Sequence, residues 1–105
     1  MAQTFTNAVA HNVTTVTTVY TAPASTTGVV VGLMLANNAG SDTTVTVSVT
    51  KSATTVNLLS SAPIPAASNL SVLSNNNRLV LLTGNSISVT AAANIDVIAS
   101  VLELT

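Results

Sequence analysis

Residues 43–50 read TTVTVSVT, and their strict alternation puts Val45, Val47 and Val49 on one face and Thr44, Thr46 and Ser48 on the other. A period of two is the mark of a half-buried antiparallel strand. The branched side chains suit a pleated surface, and their stiff χ1 angles count against a helix. Immediately upstream, Asn37-Asn38-Ala39-Gly40-Ser41-Asp42 gathers residues that tolerate left-handed backbone or bond their own main chain, so it reads as a turn. Before the turn, residues 28–36 (GVVVGLMLA) are apolar, too short for a comfortable helix and interrupted by Gly32, which predicts a strand buried on both faces. These two segments are expected to form a hairpin.

The rest of the chain repeats this punctuation. Residues 13–20 (VTTVTTVY) carry valine every third position, which fits neither strict alternation nor a full helical face; a Val/Thr composition favours extended structure, and Thr21-Ala22-Pro23-Ala24-Ser25 stops it. Residues 54–59 form a short extended candidate. In Ala62-Pro63-Ile64-Pro65-Ala66 the two prolines remove ladder donors on either side of one isoleucine, so the piece belongs at a sheet edge or a corner, with Ile64 as a buried plug. Residues 69–73 alternate through Leu70 and Val72 and lead to a polar tip, Ser74-Asn75-Asn76-Asn77. The apolar run 78–82 turns at Thr83-Gly84-Asn85-Ser86 into Ile87-Ser88-Val89-Thr90, a second expected hairpin. The final segment, 95–104, puts Ile95, Val97, Ala99 and Val101 on one face and Ile98, Leu102 and Leu104 on the other. Such a strand is central between layers or lies at a subunit interface.

Together these signals predict an all-β chain: an antiparallel β-sandwich, jelly-roll or immunoglobulin-like, of about eight short strands. With 105 residues a single core is the natural expectation. Residues 1–12 have weak periodicity and one aromatic, Phe5, and read as an extended N-terminal arm ahead of a single sandwich domain over 13–105. Phe5 and Val9 of the arm and Ile98, Leu102 and Leu104 of the last strand are the candidate interface residues.

Composition narrows the function. Hydrophobic residues are 48% of the chain, which excludes the low-hydrophobicity regime of disorder, yet charged residues are only 5% and the net charge is −1. Recognition of nucleic acid or of anionic lipid needs clustered Lys and Arg, so neither partner is expected. There is no cysteine, hence neither disulfide nor thiolate metal site. The N-terminal MAQTFTNAVA has no basic region followed by a long apolar run, and no stretch approaches a membrane span, so a product without a conventional secretion signal is expected.

No catalytic constellation stands out. A serine or threonine nucleophile needs a base, and the one histidine is His11. Paired-carboxylate chemistry has Asp42, Asp96 and Glu103 to draw on, widely spaced in sequence and better suited to turn and strand-entry roles. One histidine and three scattered acids form no recognisable metal-ligand pattern. The run GVVVG lacks the spacing and lysine of a phosphate loop, and two aromatics, Phe5 and Tyr20, are too few for a stacking platform. Tyr20 is expected to pack over an end of the sandwich. No catalytic residue, cofactor or metal is expected.

Several runs carry a resemblance. Val19-Tyr20-Thr21-Ala22-Pro23-Ala24, Leu33-Met34-Leu35-Ala36-Asn37-Asn38, Gly40-Ser41-Asp42-Thr43-Thr44-Val45-Thr46-Val47, the segment around Pro63-Ile64-Pro65, Leu81-Leu82-Thr83-Gly84-Asn85-Ser86-Ile87 and the ending Asp96-Val97-Ile98-Ala99-Ser100-Val101-Leu102-Glu103-Leu104 together resemble small virion proteins of tailed bacteriophages, including those infecting cyanobacteria. The likeness spans most of residues 19–104, with Asn85 standing where that group usually has an acid. It implies a non-enzymatic virion β-sandwich made in the host cytoplasm, foremost a capsid decoration (cement) protein on the capsid exterior. Its implied partner is the major capsid protein; because cyclic symmetry lets one modest contact be repeated, self-association as a homotrimer is also expected, joined near the C-terminal segment and with the arm lying across a neighbour. A tail, neck or fibre protein, with polar loops at 37–42 and 74–77 touching host polysaccharide, is the alternative.

Overall fold

The computed structural model describes residues 3–73 and 78–105. They form nine strands: β1 (Gln3–Val13), β2 (Thr17–Thr21), β3 (Thr27–Asn37), β4 (Thr43–Lys51), β5 (Thr54–Ile64), β6 (Asn69–Ser71), β7 (Leu79–Leu81), β8 (Ser86–Ala91) and β9 (Ile95–Leu104). No helix occurs among the described residues. The strands make two antiparallel sheets, β1-β9-β3-β6 with β7 also on β3, and β2-β8-β4-β5. The polar tip expected at 74–77 lies outside the described residues.

The pairing is nested. β4 pairs with β5, β3 with β6 and β7, β2 with β8, and β1 with β9. The chain is therefore one long hairpin folded at Ser52 and Ala53 and rolled so that successive layers fall alternately in the two sheets. This is jelly-roll winding; an immunoglobulin-like sandwich would keep its first two strands in one sheet. Lys51 faces Thr54 across the tip, and Ser52 takes φ 54°, the left-handed value a two-residue hairpin turn requires there.

The core follows the alternation. Val45, Val47 and Val49 of β4 and Ile95, Val97, Ala99 and Val101 of β9 point inward and are buried, together with Val30, Leu33 and Leu35 of β3 and Ile87 and Val89 of β8. Ile64, at the end of edge strand β5, is fully buried beside Pro63, so the plug expected between two prolines is present.

Four expectations are corrected. The segments 28–36 and 43–50 are not a hairpin: β3 and β4 lie in opposite sheets, and residues 38–42 cross between them. The second expected hairpin is likewise a crossover, because β7 pairs β3 while β8 pairs β2 and β4. A turn sequence breaks the strand in either case, and it does not specify to which sheet the chain goes next. The strand expected over 13–20 is split, with Val13 ending β1 and β2 starting at Thr17. The N-terminal segment is extended, as expected, but from Gln3 it is laid against β9 as a sheet strand in unbroken register to Ala10. It belongs to the sandwich, and the domain begins ahead of residue 13.

The ends are closed by specific polar contacts. At one, Tyr20 lies over Gly28, where an added Cβ would come within 2.9 Å of the hydroxyl, and its hydroxyl donates to Glu103 Oε2 at 2.7 Å. Tyr20 thus covers a sandwich end, as its sequence context suggested. Burial, and then the hydrogen bond to Glu103, raise the tyrosine pKa far above its usual value. At the other end the buried Asn37 side chain donates to the carbonyls of Ser41 and Ile64 at 3.0 Å and of Pro65 at 3.2 Å, and accepts from Ala39 N–H at 2.8 Å. One amide thereby ties the β3–β4 crossover to the end of β5.

Candidate functional site

The outward residues of the β1-β9-β3 sheet form the surface most unlike that of an ordinary free-standing domain. Because β1 and β3 flank β9 in register, Phe5, Leu102 and Val29 lie in one row, and Val9, Ile98 and Met34 in another. Phe5 is 78% exposed and Val9 70%, although both are large apolar side chains. Val80 of β7 extends the first row beyond Val29, and Leu104 continues that side between Gln3 and Thr27. A row of small or polar residues, Asn7, Ser100 and Gly32, separates the two apolar bands.

All five candidate interface residues, Phe5, Val9, Ile98, Leu102 and Leu104, fall on this one face. Sequence reasoning missed Met34, Val29 and Val80. Residues 28–36 read as buried on both faces, whereas β3 has a register shift between Val30 and Gly32 that keeps Val30, Leu33 and Leu35 inward and turns Val29 and Met34 outward. The missing signal was the bulge, which interrupts the period of two.

The opposite sheet presents a different surface. Thr46, Ser48 and Thr50 of β4 lie beside Thr90, Ser88 and Ser86 of β8, and Thr44 is exposed on the same strand. Their hydroxyls partly satisfy one another or the main chain: Thr50 meets Thr55 at 3.0 Å, and Thr46 Oγ1 accepts from Ser61 N–H at 3.1 Å. The molecule is thus apolar on one broad face and hydroxylated on the other.

The titratable groups are dispersed. His11 Nδ1 lies 2.6 Å from Asp96 Oδ1 at the margin of the apolar face, and the same oxygen accepts the Asn12 N–H at 3.0 Å. That N–H, with smaller contributions from Asn38 and His11, holds the Asp96 carboxyl below its ordinary range. The contact fastens the end of β1, where its register with β9 shifts between Ala10 and Val13. Asp42 accepts the Ala66 N–H at 3.0 Å, and Glu103 holds Tyr20. Asp96 and Glu103 are seven residues apart on one strand, about 24 Å, beyond the spacing of a carboxylate pair acting on one bond. Among the described residues no three His, Cys, Asp or Glu side chains are grouped to hold a metal ion.

Of the polar loop 37–42, Asn37 is turned into the protein and occupied by main-chain groups, which leaves Asn38 and Ser41 outward; 74–77 lies outside the described residues. No helix among the described residues is long and apolar enough to cross a membrane. Comparison with protein-family models, with curated proteins and with solved structures finds no match to this chain.

Proposed function

We propose that this chain is a non-enzymatic structural protein of a tailed-bacteriophage particle: a decoration (cement) protein that sits on the capsid exterior and braces neighbouring major-capsid-protein subunits through the outer face of the β1-β9-β3 sheet. The observation that carries the reading is that face, with Phe5, Val9, Ile98 and Met34 exposed. The three long strands, of 10 and 11 residues at about 3.4 Å per residue and about 4.8 Å apart, give a footprint of roughly 500 Å², the polar middle row included. That is below the roughly 800 Å² that each partner contributes to a standard protein interface, so the hold of each subunit rests on the same contact being repeated over the particle.

The sparse charge supports the same reading. A subunit held at many equivalent positions on one particle gains from shape and apolar burial repeated by symmetry, and needs no long-range steering. The resemblance of residues 19–104 to small phage virion proteins supplies the kind of particle.

The test is to prepare particles lacking this protein and measure genome release under heat and osmotic shock. The reading expects early release, restored when purified protein is added back. Particles of unchanged resistance contradict a bracing role. A copy number of a few tens per particle, rather than hundreds, would move the protein to the tail, neck or fibre.

A further inference from the structure

We infer that the free edge of β1 is a pairing site for the β1 edge of a second copy of this chain, joining the two β1-β9-β3 sheets into one continuous sheet across a twofold axis. The inference is independent of what the apolar face docks on.

The edges of the two sheets differ. An exposed edge strand presents unpaired N–H and C=O groups that invite another chain, and proteins blunt such edges with proline, charge, bulges or short length. Three edges here are blunted. β5 carries Pro63 and a left-handed Ser61 at φ 51°, and its register with β4 shifts twice. β2 has five residues and a shift between Thr18 and Tyr20. β6 and β7 have three residues each. β1, by contrast, runs eleven residues and pairs with β9 without a break from Gln3 to Ala10. Its sequence there, QTFTNAVA, contains no proline and no charged residue. Among the described residues it is the one long edge left unprotected.

The same sequence is self-complementary. Direct partners in an antiparallel pair share a face, so a twofold axis through Asn7 sets Phe5 opposite the partner's Val9, Val9 opposite the partner's Phe5, and Gln3 opposite the partner's His11. On the inner face Thr4 meets the partner's Ala10, and Thr6 meets the partner's Ala8. Phe5 thus stands opposite the smaller Val9, and each inner threonine opposite an alanine. The apolar bands also match: the Phe5-Leu102-Val29 row of one copy runs on into the Val9-Ile98-Met34 row of the other, and the Asn7-Ser100-Gly32 row continues into itself. A contact of this kind is isologous and closes at two copies. It joins copies in pairs, where the sequence-based expectation was a trimer.

Sedimentation of the purified full chain at tens of micromolar is expected to show a dimer. Asn7→Asp and Asn7→Lys each place like charges on the axis and are expected to weaken it about tenfold or more, while an equimolar mixture of the two variants restores it. Asn7→Cys, in a chain with no other cysteine, is expected to oxidise to a covalent dimer, whereas Ser48→Cys on the opposite sheet is not. A monomer at this concentration overturns the inference. So does a dimer that neither cross-links through Asn7→Cys nor recovers when the Asp and Lys variants are mixed, because such a dimer uses another surface. Neither result bears on particle attachment, which is measured separately on capsids.

Discussion

Asn37→Ala should destabilise this protein more than any other single polar truncation, and the cost can be worked from its contacts. The side chain is 3% exposed; its NH2 group serves the carbonyls of Ser41, Ile64 and Pro65, and its oxygen serves the Ala39 N–H. A net hydrogen bond is worth about 1 kcal/mol, and a buried group left without a partner costs about 1–3 kcal/mol. Removing this amide strands several such groups where the β3–β4 crossover meets the end of β5, so a loss of about 3 kcal/mol is expected. For a domain of this size that lowers Tm by about 10–20 °C. With no tryptophan and one tyrosine, far-UV circular dichroism during denaturant and thermal unfolding is the suitable assay. Asn37→Asp provides the discriminating comparison. It keeps the shape and the acceptor for Ala39, but turns an oxygen toward the three carbonyls of Ser41, Ile64 and Pro65, so it should be at least as damaging as alanine at neutral pH. A loss below about 1 kcal/mol for Asn37→Ala, or near-native stability for Asn37→Asp, would refute the reasoning, because filling the space would then be all the residue does.

Two further predictions concern single side chains. Thr43 is 5% exposed and its Oγ1 is the buried side-chain polar atom without a partner among the described residues, so Thr43→Val should stabilise by about 1 kcal/mol, read as a higher denaturant midpoint. Tyr20 has a raised pKa in the folded state; the unfolded chain therefore gives up its proton first, and stability present below about pH 10 is lost as pH rises above it. Since Tyr20 is the only tyrosine, tyrosinate absorbance should appear together with unfolding and not before it, and Tyr20→Phe should remove this alkaline loss while lowering stability at pH 7 by about 1–2 kcal/mol.

Much of the fold was legible in local pattern. The alternation of residues 43–50 and 95–101 assigned the inward rows of β4 and β9 correctly, and two prolines around Ile64 marked the end of an edge strand. Which sheet each strand joins was not legible. Periodicity fixes the face a side chain takes within a strand, and the turn residues at 37–42 and 83–86 serve a crossover as well as a hairpin. β1 was obscure for a definite reason: its inward residues Thr4, Thr6, Ala8 and Ala10 are small, and its large apolar residues Phe5 and Val9 point outward, the reverse of the usual pattern. Phe5 and Val9 were interface candidates only because the segment read as an arm lying across a neighbour. The role of Asn37 was hidden because its partner carbonyls on Ile64 and Pro65 lie 27 and 28 residues away, a separation no turn signature reports.

Attachment through the apolar outer face is the central proposal. Its most direct test is the capsid occupancy of a Phe5→Thr/Val9→Thr/Ile98→Thr variant, which keeps strand-forming residues while removing the apolar bands, alongside a Thr44→Lys/Thr90→Lys variant that charges the opposite sheet. The account predicts that the first variant folds, by circular dichroism, but is missing from particles, while the second occupies them normally. Full occupancy by the threonine variant, or exclusion of the lysine variant alone, would contradict it.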